Sequence, residues 1–266
     1  MDLELKGKIA VVTGGTRGIG KAIARSLAGE GMDVAIIGRN LEAAKATVLE
    51  IAGATGSNVR AYSADTGKDD AVRAAVAAIH SDFGRIDVLV NSAAQPSGQA
   101  RPPSLSEITD EMFWSDVNVK VMGYLRMARE IAPLMAEQGW GRIINISGLG
   151  ARQTGVTVGS IRNVGVAALT KNLADELGPK GINVTCVHPG LTRTEKTAGV
   201  IEWRASTQKK TKEEVEKAMN DLNTIRRLVT AEEIGHVVAF LASPKSIAIN
   251  GDAIAAGGGI PGSIYY

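Results

Sequence analysis

The sequence predicts an α/β fold, a doubly wound parallel sheet with helices on both faces, and three observations predict it. Short runs of β-branched and other apolar residues alternate with helical segments along almost the whole chain. The runs are mostly continuous rather than alternating in polarity, as expected of strands covered on both faces. The first run passes through a cluster of glycines directly into a helix.

The strands are predicted over 9–13, 34–37, 58–62, 86–91, 142–147 and 183–188, and the helices between them over 19–29, 41–52, 69–82, 106–138 and 160–177. Strand, helix, strand repeated in this order implies right-handed crossovers in one parallel sheet. No low-complexity linker or composition break divides the chain, so residues 1–266 are expected to form one domain. The stretch 194–220 departs from the rhythm. It is highly charged around Lys209, Lys210, Lys212, Glu213, Glu214, Glu216 and Lys217, as a solvated helix face with i,i+4 pairs would be. It follows the sixth strand, where open α/β sheets bind ligands, and is expected to be a substrate lid. Its apolar members Val200, Ile201, Trp203 and Met219 hint at an organic substrate.

Composition narrows the function. The chain has 266 residues, 30 basic and 28 acidic, for a formal charge of +2, and no long basic run marks a nucleic-acid or anionic-membrane footprint. No apolar run is long enough to span a bilayer, and the first residues have no signal-peptide core. The one cysteine, Cys186, makes neither an internal disulfide nor a thiolate metal site, so no metal and a cytoplasmic setting are expected.

The glycine-rich junction reads Thr13-Gly14-Gly15-Thr16-Arg17-Gly18-Ile19-Gly20. Glycines there permit a tight turn and let a pyrophosphate approach the backbone and the positive end of the helix. The second strand ends in Gly38-Arg39-Asn40 with no carboxylate. An acidic residue at that point would bind the ribose hydroxyls of NAD, whereas arginine suits the 2′-phosphate of NADP. Arg17 and Arg39 together can clamp a phosphate through charge-assisted hydrogen bonds, so NADP(H) is expected over NAD(H).

Thr-Gly-x-x-x-Gly-x-Gly resembles the short-chain dehydrogenase/reductase family, whose fold is a single Rossmann-type domain, and the resemblance extends over nearly the whole chain. Asp65 and Thr66 match the family's adenine-binding Asp segment. Asn91-Ser92-Ala93-Ala94 stands where the family has Asn-Asn-Ala-Gly, and Asn118 matches a catalytic Asn of the middle helix. Ser147 matches the substrate-orienting Ser, and Pro189-Gly190 with Thr192 the turn that contacts the nicotinamide. Near the end, Asn250-Gly251-Asp252 and Gly257-Gly258-Gly259 resemble the seventh-strand signature. The resemblance implies a homo-oligomer, a dimer or tetramer, acting on a small molecule. It also implies a cofactor site drawn from Gly14, Thr16, Arg17, Gly18, Ile19, Gly20, Arg39, Asp65, Thr66, Asn91, Ala93, Asn163, Pro189, Gly190 and Thr192.

One part of the family pattern is broken. The family places a catalytic Tyr, and a Lys four residues later, at the start of the helix after the fifth strand. Counting back from Lys171 in Ala168-Leu169-Thr170-Lys171-Asn172-Leu173 puts those two positions at Gly159 and Asn163. A positioned acid or base contributes about 10²–10⁴-fold to rate, so a proton-transfer step here must be atypical. Candidate substitutes are Ser147 and Ser160, Arg162 (expected to face a subunit or solvent), His188 and Tyr124 (both expected to be structural), and the terminal pair Tyr265 and Tyr266. His80 and His236 are expected in outer helices as structural residues, and Met122, Met127 and Met135 as core or interface filling. Three functions are therefore open: an oxidoreductase with an unusual proton step, a silent dinucleotide-binding sensor or partner subunit, and a lyase or hydrolase reusing the cleft.

Overall fold

Continuous apolar runs form the middle of the central sheet because both strand faces are covered there. In the computed structural model, which describes residues 1–95, 100–262 and 264, the chain runs through β1 (Ile9–Thr13), α1 (Gly18–Gly29), β2 (Asp33–Gly38), α2 (Leu41–Thr55), β3 (Val59–Ser63), α3 (Asp69–Phe83) and β4 (Val88–Asn91). It continues through α4 (Asp110–Val117), α5 (Gly123–Gln138), β5 (Gly141–Ile146), α6 (Thr157–Leu177), β6 (Ile182–Pro189), β7 (Thr192–Arg193), α7 (Thr197–Gln208), α8 (Lys212–Asn220), β8 (Val229–Thr230), α9 (Ala231–Ala242) and β9 (Ala253–Ala256). Seven strands form one parallel sheet in the order β3-β2-β1-β4-β5-β6-β9. β7 and β8 pair separately.

The two faces divide by strand period. Ala10 and Val12 of β1 join Ile23 and Leu27 of α1 and Ile234 and Val238 of α9. Val11, pointing the other way, joins Val76 of α3, Met127 and Ile131 of α5 and Leu177 of α6. The chain leaves β1 toward β2 on one side and returns to β4 on the other. That reversal opens a crevice at the carboxyl ends of β1 and β4, where ligands bind in such sheets.

The expected continuous helix over 106–138 is a correction. A short 3-10 turn (Leu105–Glu107) precedes α4, and a single π-helical turn (Asn118–Met122) separates α4 from α5. Thr109 restarts the helix by accepting the Met112 N–H at 3.2 Å. At the π turn, Asn118 Nδ2 donates to the Gly67 carbonyl at 3.2 Å, and the Asn118 carbonyl accepts from Arg126 Nη1 at 3.1 Å. These tertiary bonds hold a wide turn that apolar periodicity does not signal. Met127 and Met135 are core residues as expected, while Met122 is partly exposed.

The charged stretch resolves into α7 and α8, with ion pairs Lys212–Glu202 and Lys217–Asp221 on its surface. Thr211 caps α8 by accepting the Glu214 N–H at 3.1 Å. Ile201 and Met219 do not face a substrate cavity. They bury against Ala205, Val215 and Leu228 in a small core of their own. Tyr265 and Tyr266 lie outside the described residues.

Candidate functional site

The crevice is a cavity of about 720 Å³ along the carboxyl edge of the sheet. Its floor is the turn from β1 to α1. Gly14 has φ +66° and Gly18 φ +55°, left-handed backbone that glycine adopts without strain. A Cβ on Gly14 would stand 2.9 Å from the Ala93 Cα, and one on Gly20 would stand 2.3 Å from the Gly14 carbonyl oxygen. No side chain fits at either place, so the turn presents bare backbone to the cavity. Thr16, Arg17, Ile19 and Ala93 line it as well. The first N–H of the helix, from Gly18, is held by the Glu195 carboxylate at 3.0 and 3.2 Å.

Beyond the glycines, Arg39 and Asn40 form the wall at the end of β2. Asn40 caps α2 by accepting the Ala43 N–H at 3.0 Å, leaving Arg39 at the rim. Asp65 turns the chain after β3 by accepting the Gly67 N–H at 2.9 Å, and Thr66 lines the wall beside it. Arg17 and Arg39 thus share one cavity, with no carboxylate at the end of β2.

The opposite end is built by β5, α6 and β6, with Ser147, Asn163, Pro189 and Gly190 in its wall. Ser147 follows β5, and its hydroxyl donates to the Asn163 main-chain carbonyl at 3.0 Å. Gly159 and Asn163 stand one turn apart on α6, but Gly159 does not line the cavity. A Cβ there would meet Val156 Cγ1 at 2.9 Å. The most consequential residue at this end was not among the sequence candidates. Lys120, carried by the π turn, is 5% exposed and donates from Nζ to the Ser147 carbonyl at 2.8 Å and to Asn163 Oδ1 at 3.0 Å. Burial, and then the neighbouring Arg162 guanidinium, push its pKa down from the ordinary lysine value to about 7. A lysine within the apolar run Val119-Lys120-Val121-Met122 was the signal available in the sequence.

Three expected site residues do not line the cavity. Asn91 is fully buried and donates to Asn145 Oδ1 at 2.9 Å, in a chain that continues to Thr170. Asn118 donates to the carbonyl of Gly67 in the turn between β3 and α3, and Thr192 donates its hydroxyl back to the Gly190 carbonyl at 3.0 Å. In each case another polar group of the protein takes the side chain that the resemblance assigned to the ligand. Arg162 is a further correction. It does not extend into solvent but pairs with Asp116, both largely buried, and lines the cavity.

The remaining candidates are structural in their contacts. His188 is 1% exposed, and burial pushes its pKa down to about 4, so the ring is neutral near pH 7. The Tyr124 hydroxyl donates to the Ile146 carbonyl at 2.9 Å, and burial holds the phenol above its ordinary pKa. Ser160 donates to the Gln153 carbonyl at 2.8 Å. Cys186 is fully buried in β6, and burial pushes its thiol up to about 11. Among the described residues no cluster of His, Cys, Asp and Glu is arranged to hold a metal, and no helix is long and apolar enough to cross a membrane.

Comparison with known proteins agrees with this geometry. Residues 14–261 match the family model described as enoyl-(acyl carrier protein) reductase. The short-chain reductase protein NovJ of Streptomyces niveus is 36% identical over 254 residues, which cover 95% of this chain and 94% of NovJ. The 3-oxoacyl-[acyl-carrier-protein] reductase FabG of Aquifex aeolicus is 33% identical, covering 98% of this chain and 100% of that protein. L-Sorbose reductase of Gluconobacter frateurii, solved with NADPH and L-sorbose, superposes with a TM-score of 0.93 at 26% identity, covering 99% of this chain and 100% of that one. A seven-stranded parallel sheet with a bare glycine cradle at its reversal point, matched over almost its full length by these reductases, places the chain in the short-chain dehydrogenase/reductase family of NAD(P)-dependent oxidoreductases.

Proposed function

We propose that the chain is an NADP(H)-dependent reductase of a small organic substrate whose proton-transfer step departs from the family's. The observation that carries the cofactor choice is the pair Arg17 and Arg39 in one cavity whose β2 end has no carboxylate. The residues fit a dinucleotide. The cradle at Gly14 and Gly20 is one that any Cβ would fill, and Gly18 and Ile19 open a helix N-terminus toward it. The proposed site comprises those residues with Thr16, Asp65, Thr66 and Ala93 on one side and Asn163, Pro189 and Gly190 on the other. A reduced nicotinamide, when bound, supplies a hydride. Ser147 orients the substrate from the end of β5, accepting at its hydroxyl oxygen because the hydroxyl proton is engaged with Asn163. A hydride acceptor that needs little protonation, such as an activated C=C or C=N bond, suits a wall without the family's tyrosine. The segment 194–220 is a lid in this reading. Phosphate docking at the helix N-terminus requires the Glu195 carboxylate to leave the Gly18 N–H.

Calorimetric titration tests the assignment. NADPH is expected to bind more tightly than NADH, and Arg39→Asp to shift that preference toward NADH by roughly 10- to 100-fold, the loss of one charge-assisted phosphate contact. Equal affinities in the parent would sink the NADP assignment, and affinity for neither coenzyme would sink the dinucleotide reading.

We also propose a cytoplasmic homo-oligomer. Met112, Trp114 and Met122 on the middle helices and Ile161 and Val164 on α6 are exposed apolar side chains that a second copy would cover. Light scattering of the purified chain should give a dimer or tetramer mass, and a monomer mass at working concentration would reject the proposal.

A further inference from the structure

The cavity wall contains a buried amine without a counter-ion. Lys120 Nζ has two hydrogen-bond acceptors, the Ser147 carbonyl and Asn163 Oδ1, and both are neutral. An ammonium has three N–H donors, and the third has no protein acceptor among the described residues. The groups around it come from every element packed there. Arg162 and Asn163 stand on α6, Asp116 on α4, Tyr124 on α5, and Cys186 and His188 on β6. The one carboxylate in that set, Asp116, is engaged by Arg162. Burying a charge is costly unless it is paired. A side chain 95% removed from water yet lining a 720 Å³ cavity is therefore poised to take its missing partner from a ligand.

Its position gives the ligand's identity. Nζ touches the side chain of Asn163, which stands on α6 at the place counted as the family's lysine. We infer that Lys120, delivered from the middle helix, is the cationic member of the dinucleotide site at its nicotinamide end, replacing the charge that α6 lacks, and that it takes up a proton when the dinucleotide binds. The inference rests on the dinucleotide reading of the cavity. The proton follows from electrostatics. Burial and the Arg162 charge keep the free amine close to half protonated near neutral pH, and an anionic, hydroxyl-rich ligand at the third N–H favours the ammonium. The protonated form binds better, so affinity falls as pH rises through the free-enzyme value.

The test uses the full-length protein and NADPH. Titration calorimetry in two buffers of different ionisation enthalpy reads the protons exchanged on binding. At about pH 7, uptake of roughly half a proton is expected, with affinity that weakens as pH rises. Lys120→Met should abolish the uptake beyond that of the coenzyme phosphate and weaken NADPH roughly 10- to 100-fold. Lys120→Arg should restore most of the affinity, without the pH dependence, because guanidinium stays charged. If the parent binds NADPH with no uptake, or if Lys120→Met binds like the parent, the inference is overturned while the dinucleotide reading stands. If the parent binds neither NADPH nor NADH, both fall. Should Lys120→Met not fold, the parent's uptake and the Lys120→Arg variant decide.

Discussion

Asn163→Lys, which puts a lysine at the place counted from Lys171 as the family's, is expected to destabilise the protein by about 2–4 kcal/mol near neutral pH. The cause is Lys120. Its Nζ now donates to Asn163 Oδ1 at 3.0 Å in a wall it shares with Arg162. A second ammonium there removes an acceptor and adds like charge to a buried site. Both amines are then held below their unfolded pKa, so the folded state binds fewer protons than the unfolded one. Stability therefore rises with pH above the folded value, and the penalty should be larger at about pH 6 than at about pH 9. Adding Lys120→Met to the same chain should recover most of the loss. Urea unfolding of the parent, both single variants and the double variant completes the cycle. Additive effects would show that the two positions do not meet.

The same geometry bears on restoring the family's pair as Gly159→Tyr with Asn163→Lys. A side chain at 159 must first displace Val156, whose Cγ1 lies 2.9 Å from the Cβ position.

Gly20→Ala should have the second large effect. Its Cβ would stand 2.3 Å from the Gly14 carbonyl oxygen, a backbone atom that cannot rotate aside. A Cβ on Gly14 would likewise stand 2.9 Å from the Ala93 Cα, so the turn is closed in on that side as well. Overpacking of this kind costs about 3 kcal/mol, and the melting temperature should fall by roughly 6–12 °C for a domain of this size. Because the displaced atoms are the cavity floor, NADPH binding should be lost together with stability. Gly29→Ala, on the same helix with open space around its Cβ, is the control and should retain both. Unaltered NADPH affinity in Gly20→Ala would show that the cradle does not carry the dinucleotide.

Much of this architecture was legible in residue pattern. The segments 142–147 and 183–188 carry their β-branched residues (Ile143, Ile144 and Ile146; Val184, Thr185 and Val187) at strand length, and β5 and β6 form within a residue or two of those bounds. The glycine turn was legible because its requirement is local: backbone angles and close approach depend on residues a few positions apart. Arg17 and Arg39 were legible as a pair for a related reason, since β1 and β2 are neighbours in the sheet and each arginine closes its own strand's turn.

Where the reading failed, the missing information was long-range. The helix over 106–138 breaks because Asn118 bonds to Gly67, 51 residues away. Arg162 turns inward because Asp116, 46 residues away, waits on α4. Asn91 points into the sheet because Asn145 faces it across 54 residues. None of these partners is visible in periodicity or spacing.

The chain's sequence by itself determined the fold class and the bare cradle at the first crossover, since each depends on residue types at fixed local spacing. What meets Asn163 in the cavity wall was decided only by tertiary structure. A π turn in the middle helix swings Lys120 against Asn163, 43 residues further along, and a contact set by how two helices pack is absent from the local pattern of either one.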